Sequence, residues 1–200
     1  MGGDASRVTD LRRDLHDPRS EIVPFLDRFD ASDVVVGNDG PVFYVVTDKD
    51  AGRNRMVTID LARPGQESWT DVIPELPGRD VLGGAVMIGQ RFLTVGRSDA
   101  HDRLLVYSKT GRFEAEIRLP TLGSIAGVHA KRHDREAFYA FTAFTHPTTI
   151  YRHDPDTGVS TVFKAPEVRF TPGDYETTQV FYSSKDDVFA FLGHILQMDV

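Results

Sequence analysis

The nearest approach in this sequence to an acyl-transfer nucleophile is Gly96-Arg97-Ser98-Asp99-Ala100. Hydrolases of the α/β class hold the attacking serine on a strained strand-to-helix turn with glycine on either side, because that backbone leaves no room for a Cβ. Here Ala100 stands where the second glycine is needed, the segment reads as a polar loop, and no helix pattern follows it. Gly123-Ser124-Ile125-Ala126-Gly127 places its serine one position too early. Both serines therefore read as loop hydroxyls bonded to nearby backbone, and no catalytic residue is assigned.

Histidine next to aspartate occurs at His16-Asp17, His101-Asp102, His133-Asp134 and His153-Asp154. Neighbours along a strand point to opposite faces, so adjacency alone builds neither a dyad nor a metal site. None of the pairs shows the i, i+4 histidines or the cysteine spacing of zinc sites, and solvated loop residues are the expectation. Asp154-Pro155-Asp156-Thr157-Gly158 opens like a calcium loop but lacks the later carboxylates and the closing bidentate glutamate, so it reads as a turn. Gly83-Gly84 opens a strand with no helix N-terminus behind it to hold a phosphate. No metal and no cofactor are expected.

Composition narrows the field further. Lys plus Arg total 23 against 30 Asp plus Glu, a formal charge of −7, with both signs scattered along the chain. Nucleic acids and anionic membranes demand a basic face, so neither is an expected partner. The absence of cysteine removes disulfides, thiolate metal sites and thiol nucleophiles together. A 40% hydrophobic content over 200 residues is enough for a real core. The N-terminal residues carry no apolar h-region, and no stretch approaches the roughly 18 apolar residues of a membrane span, so cytoplasm is the default location. Met1-Gly2 followed by Ser6 meets the bare myristoylation pattern, without the second signal that stable anchoring needs; an ordinary start is the other reading.

The elements that would position any site are strands. Short segments rich in β-branched and aromatic residues recur with turn chemistry between them, and no sustained 3.6-residue periodicity intervenes. The clearest are Asp33 to Val36, Val42 to Thr47, Met56 to Leu61, Gly84 to Ile88, Phe92 to Val95, Leu104 to Tyr107, Phe113 to Leu119, Ile125 to His129, Ala137 to Phe141, Thr149 to His153 and Ser160 to Lys164. Asn38-Asp39-Gly40, Lys109-Thr110-Gly111 and Asp156-Thr157-Gly158 supply the positive φ of tight hairpins.

These strands fall into three stretches of one order, Asp33 to about Ile73, Leu82 to Leu119 and Ile125 to Phe163. Their third strands centre near Ile59, Leu105 and Tyr151, a spacing of roughly 46 residues that suits four-stranded propeller blades. The expected fold is all-β: a partial β-propeller of about three antiparallel blades over residues 27–170. An open run of three leaves two apolar faces bare unless other chains or further sequence cover them. Residues 1–26 read either as a flexible leader or as the end of a preceding blade, with Ile22, Val23 and Phe25 as its apolar strand residues.

Several segments resemble a known family. Phe138-Tyr139, Phe141-Thr142-Ala143-Phe144-Thr145, Pro147-Thr148-Thr149-Ile150-Tyr151, Asp154, Thr157-Gly158, and above all Asp174-Tyr175-Glu176-Thr177-Thr178-Gln179-Val180-Phe181-Tyr182-Ser183-Ser184-Lys185-Asp186 are similar to the end of the propeller domain of bacterial prolyl oligopeptidases. Phe29-Asp30-Ala31, Asn38 to Tyr44, Arg55 to Leu61 and Ala62-Arg63-Pro64 resemble an earlier blade of that family. The likeness runs over roughly residues 20–186.

The resemblance implies a serine peptidase of two domains, an α/β-hydrolase that cuts short peptides after proline and a propeller that excludes folded proteins. It implies that residues 171–186, with Asp174, Tyr175, Glu176 and Gln179, are the hinge where the chain returns to the hydrolase. By register it brings Met87 near a position that approaches the catalytic cavity, a core methionine being the other reading. No catalytic serine, aspartate or histidine is found, so the chain is expected to be inactive alone. Its partner would be a separate hydrolase-domain polypeptide, or a second copy meeting exposed blade faces. An independent propeller-like module binding a peptide or protein is the alternative. Beyond Asp186 the sequence departs from the family, as a frameshifted or rearranged gene end would. Residues 187–200 read as an apolar, helix-like tail with Val188, Phe191, Leu192 and Ile195 near one face, either an accidental peptide or a partner helix.

Overall fold

The central strands of each repeat are apolar at odd and even positions alike, as in Val42-Phe43-Tyr44-Val45-Val46 and Arg91-Phe92-Leu93-Thr94-Val95. Alternate residues of a strand face opposite sides, so such a strand needs cover on both faces. Stacked blades provide it. The computed structural model describes residues 10–13, 19–26, 30–99, 101–171, 174–183 and 189–197. The Met1-Gly2 and Ser6 acylation pattern, the His16-Asp17 pair, Phe29, and Ser184 to Val188 lie outside them.

Strands β1 (Asp10–Arg12) and β2 (Val23–Leu26) form a two-stranded sheet. Blade 1 follows as β3 (Asp33–Asp39), β4 (Val42–Thr47), β5 (Arg55–Asp60) and β6 (Thr70–Ile73). Blade 2 is β7 (Val81–Ile88), β8 (Arg91–Ser98), β9 (His101–Ser108) and β10 (Phe113–Ile117). Blade 3 is β11 (Ser124–His129), β12 (Ala137–Ala143), β13 (His146–His153) and β14 (Ser160–Lys164). Each is a four-stranded antiparallel sheet paired in chain order. The first strands adjoin one another, β3 beside β7 and β7 beside β11, and so form the inner edge of the array. Each of them carries a bulge against its neighbour, between Val35 and Gly37, Leu82 and Gly84, and Ile125 and Gly127. The glycines fit that role, since a bulge bends and twists the strand locally.

Three clusters hold the stack. Tyr44, Val46, Met56 and Ile73 of blade 1 meet Leu82, Met87, Phe92, Leu105 and Tyr107 of blade 2. From the other face of blade 2, Leu93, Leu104, Val106 and Ile117 meet Ala137, Tyr139 and Phe141 of blade 3. Val45, Val57 and Ile59, on the outer face of blade 1, are covered by Phe25 and Leu26 of β2, with the Phe25 and Phe43 rings 4.6 Å apart. A strand at residues 23–26 was thus legible in Val23 and Phe25.

The helical tail is overturned. Phe189–Gln197 is a strand, β16, paired antiparallel with β15 (Tyr175–Ser183) from Tyr175↔Gln197 to Ser183↔Phe189. The segment contains three aromatic or β-branched residues, Phe189, Phe191 and Ile195, and Gly193 in its interior would cost a helix about 1 kcal/mol. Nine residues are also too few to hold a helix unaided, whereas β15 offers a full row of backbone donors and acceptors. Among the described residues no helix is long and apolar enough to cross a membrane.

Candidate functional site

Strand β15 leaves the blade array at one rim, where the β8–β9 and β12–β13 turns project. Asp99 takes a left-handed φ of 43° between β8 and β9, and its carbonyl accepts the Gln179 side-chain amide at 2.5 Å. Thr145, in the β12–β13 turn, lies 3.4 Å from Thr177 through the two hydroxyls. Two blade turns therefore hold one edge of β15. Between them opens a cleft of about 360 Å³ lined by His101, Ser124, Thr142, Phe144, Thr178 and Gln179 among others. Its floor is the junction of blades 2 and 3, which Asp102 ties together: its amide donates to the Gly123 carbonyl at 2.8 Å and its Oδ2 accepts the Ile125 amide at 2.7 Å.

Asp174 turns the chain, its amide donating to Thr171 O at 3.0 Å. Tyr175 meets Phe170 edge-on at 5.8 Å, and Glu176 pairs in register with Leu196. Met87 is only 4% exposed, in the seam between blades 1 and 2, where a Cβ on Gly37 would stand 3.2 Å from its sulfur. It is part of the packed core and does not line the cleft beside β15. Asp99 and Thr145 carry no distinguishing sequence signal, because a backbone carbonyl and a turn hydroxyl are common to any loop.

One serine–histidine contact requires a chemical test. His153 Nδ1 lies 3.0 Å from Ser160 Oγ, and Asp154 follows His153 directly. The imidazole is 2% exposed, and burial pushes its pKa below the ordinary value, with Asp154 opposing. The carboxylate does not orient the ring: Asp154 Oδ1 accepts the amides of Asp156 at 2.8 Å and Thr157 at 3.2 Å, closing an Asx turn into Gly158. Ser160 opens strand β14, not a helix. Tyr139 stacks on Tyr151 at 5.1 Å, whose hydroxyl lies 3.0 Å from His146 Nε2. The serine–histidine contact thus belongs to a part-buried polar cluster inside blade 3, with no carboxylate orienting the ring and no strand-to-helix elbow under the serine.

The remaining candidates are turn residues. Ser98 ends β8 and the chain turns straight into β9, a hairpin in place of an elbow, and Ser124 begins β11. Asp134 caps its own loop, accepting the Lys131 amide at 2.8 Å.

Residues 4–166 match the model of the prolyl oligopeptidase N-terminal beta-propeller domain. A prolyl endopeptidase from Elizabethkingia meningoseptica is 34% identical over 170 residues, 84% of this chain and 23% of that protein. A solved prolyl endopeptidase structure, from a study of inter-domain dynamics in catalysis and specificity, superposes with a TM-score of 0.79 at 27% identity, covering 92% of this chain and 27% of the other. The apo form of prolyl oligopeptidase B from Galerina marginata shares the fold, with a TM-score of 0.79 at 23% identity over 90% of this chain and 26% of that one. The chain thus spans about a quarter of the length of the relatives it matches, 23% in the Elizabethkingia case, and the match lies in the propeller. The stacked four-stranded sheets, the bulged inner strands and these likenesses agree: the chain belongs to the prolyl oligopeptidase family, within its N-terminal β-propeller domain.

Proposed function

We propose that this chain is part of the substrate-gating propeller of a serine peptidase that cleaves short peptides after proline, and that it does not cleave peptides by itself. The observation that carries the reading is the exit of β15 at one rim, tethered to blades 2 and 3 through Gln179 and Thr177, as a strand linking the propeller to a second domain would be. In this reading Asp174, Tyr175, Glu176 and Gln179 belong to the hinge, and Met87 stiffens the inner wall from behind Gly37. In this reading the groups that attack the acyl carbon lie in a hydrolase domain outside these 200 residues. A cytoplasmic location goes with this proposal and is checked by cell fractionation.

The test is turnover of a proline-containing chromogenic peptide by the purified chain. We expect none; turnover that persists through repurification overturns the reading. Adding a separately produced hydrolase domain should bring activity that depends on this chain.

A second reading is an independent binding module that completes itself by association. The far face of blade 3 supports it, because Phe163, which packs on Phe138 there, is 61% exposed. A stable, monodisperse oligomer in light scattering favours that reading; a monomer without added partner disfavours it.

A further inference from the structure

Blade 3 departs from the other two in the connection between its first and second strands. The first and second strands are joined by Gly40 and Pro41 in blade 1 and by Gly89 and Gln90 in blade 2, but by residues 130–136 in blade 3. The longer loop does not project into solvent. Asp134 folds it back, accepting the Lys131 amide at 2.8 Å through Oδ2 and donating its own amide to the Lys131 carbonyl at 3.0 Å. The loop then passes over blade 2, where the Arg132 carbonyl accepts the Gly89 amide at 2.8 Å. It ends on blade 1, where the Arg132 guanidinium donates to Asn38 O at 2.6 Å and to the Asp39 carboxylate. The second oxygen of that carboxylate pairs with Lys109, in the β9–β10 turn of blade 2, whose amide in turn donates to Gln90 O at 2.8 Å.

Stacked repeats ordinarily touch only their immediate neighbours. Here blade 3 reaches blade 1, and one carboxylate collects cations from both other blades. The turns it joins, Asn38 to Gly40 and Gly89-Gln90, are those at which the inner strands end, so the bridge runs along the inner rim, at the opposite end of the strands from β15. Inner strands line a propeller's central channel. Asp39, Arg132 and Lys109 are only partly exposed, at 28%, 34% and 22% of their side chains, which makes the pairs stronger than open surface ones and still sensitive to salt.

We propose that residues 130–136 form a strap across the inner rim, held down by Asp39, and that its release determines what can pass along the propeller axis. The proposal rests on the gating reading above. Asp39 acts as a positioning residue: it touches no substrate and fixes Arg132, which fixes the strap. Opening requires the Arg132 guanidinium to leave Asp39 and the Asn38 carbonyl, and the Gly89 amide to lose its acceptor; the Lys109 pair, which joins blades 1 and 2, can stay.

The strap can be tested on this chain without any peptidase activity, so failure here is separable from failure of the gating reading. It offers trypsin Lys131, Arg132 and Arg135. Native-state proteolysis follows the population of the open form, so Asp39→Ala should speed cleavage within 131–136 about tenfold while sites elsewhere keep their rates. Asp39→Glu, which keeps the carboxylate, should stay near the wild-type rate. Hydrogen exchange at Gly89 should quicken in Asp39→Ala alone. In case that variant fails to fold, wild-type protein in about 1 M NaCl, where the Debye length is near 3 Å, should show the same selective cleavage. Cleavage in the loop that is unchanged by high salt and by Asp39→Ala, or accelerated equally at every site, overturns the proposal.

Discussion

Blades 2 and 3 have the same strand order, yet they are buried differently. In blade 2 both faces are closed: Phe92 and Leu105 point to blade 1, Leu93 and Leu104 to blade 3, and all four are buried. In blade 3 the face toward blade 2 is closed by Tyr139 and Phe141, while Phe138 on the other face is half-buried and packs edge-on against the exposed ring of Phe163 at 5.1 Å. Burial in this architecture is conferred by the neighbouring blade and not by the sheet itself, so equal side chains in equivalent strands have unequal energetic weight.

The sharpest way to break that equivalence is truncation of one phenylalanine in each blade. Phe92 is 0% exposed and meets Tyr44 edge-on at 5.0 Å, so Phe92→Ala should cost about 3–5 kcal/mol. Phe163→Ala should change stability by less than about 0.5 kcal/mol in dilute protein. Urea unfolding by fluorescence checks both, and comparable losses would mean that the far face of blade 3 is covered in solution.

A smaller effect isolates the junction of blades 1 and 2 from side-chain volume altogether. Gly111, in the β9–β10 turn, has a φ of 83°, and a Cβ there would lie 1.7 Å from the carbonyl oxygen of Val72 in β6. Gly111→Ala should cost about 1–3 kcal/mol through strain and displacement of that edge. Gly158, with a φ of 72° and open space around it, isolates the conformational part: Gly158→Ala should be the milder change in the same unfolding assay.

The blades were legible from sequence because each of their requirements leaves a mark. Gly40, Gly111 and Gly158 do take positive φ, and β4 and β14 have the expected limits of Val42 to Thr47 and Ser160 to Lys164. Strands β8, β9 and β13 run longer than expected, because their polar ends, such as Arg97-Ser98 and His101-Asp102, pair in register without an apolar pattern to mark them. β6 was not singled out, since Thr70-Asp71-Val72-Ile73 is short and half polar. β16 was misread because Phe191, Leu192 and Ile195 fit a helical face as well as a strand, and only the partner β15 decides between them. The tether of Gln179 to Asp99 and the bridge from Arg132 to Asp39 join residues far apart in the chain, which local pattern cannot reveal.

The two junctions also differ in what they bury. The seam between blades 1 and 2 is largely apolar, whereas blade 3 buries His153, and half-buries His146, toward blade 2. Burial holds both imidazole pKa values below the ordinary 6.5. The unfolded chain therefore takes up protons first, and stability, complete above about pH 6.5, falls as pH drops toward the folded-state values. The slope should approach at most about 1.4 kcal/mol per pH unit for each histidine. Glu114 and Glu116, lowered by Arg91 and Arg103 respectively, lose their contribution only in the more acid range below 4.5, so the two windows separate. Thermal midpoints between pH 7.5 and 5.0 should decline, and His153→Gln should flatten part of that decline; an unchanged slope would remove His153 as its source.

The smallest effect belongs to a pair that crosses the same junction at the surface. Arg91 of blade 2 reaches Asp156 of blade 3 at 3.4 Å, but the aspartate side chain is 85% exposed and Arg91 already holds Glu114 at 2.9 Å. Water competes for both partners, so Asp156→Asn should change the unfolding free energy, read from urea unfolding, by less than about 0.5 kcal/mol. A loss comparable with that of Gly111→Ala would mean that blades 2 and 3 are held together at their rim more than by Tyr139, Phe141 and Leu104, contrary to the burial that separates the two kinds of contact.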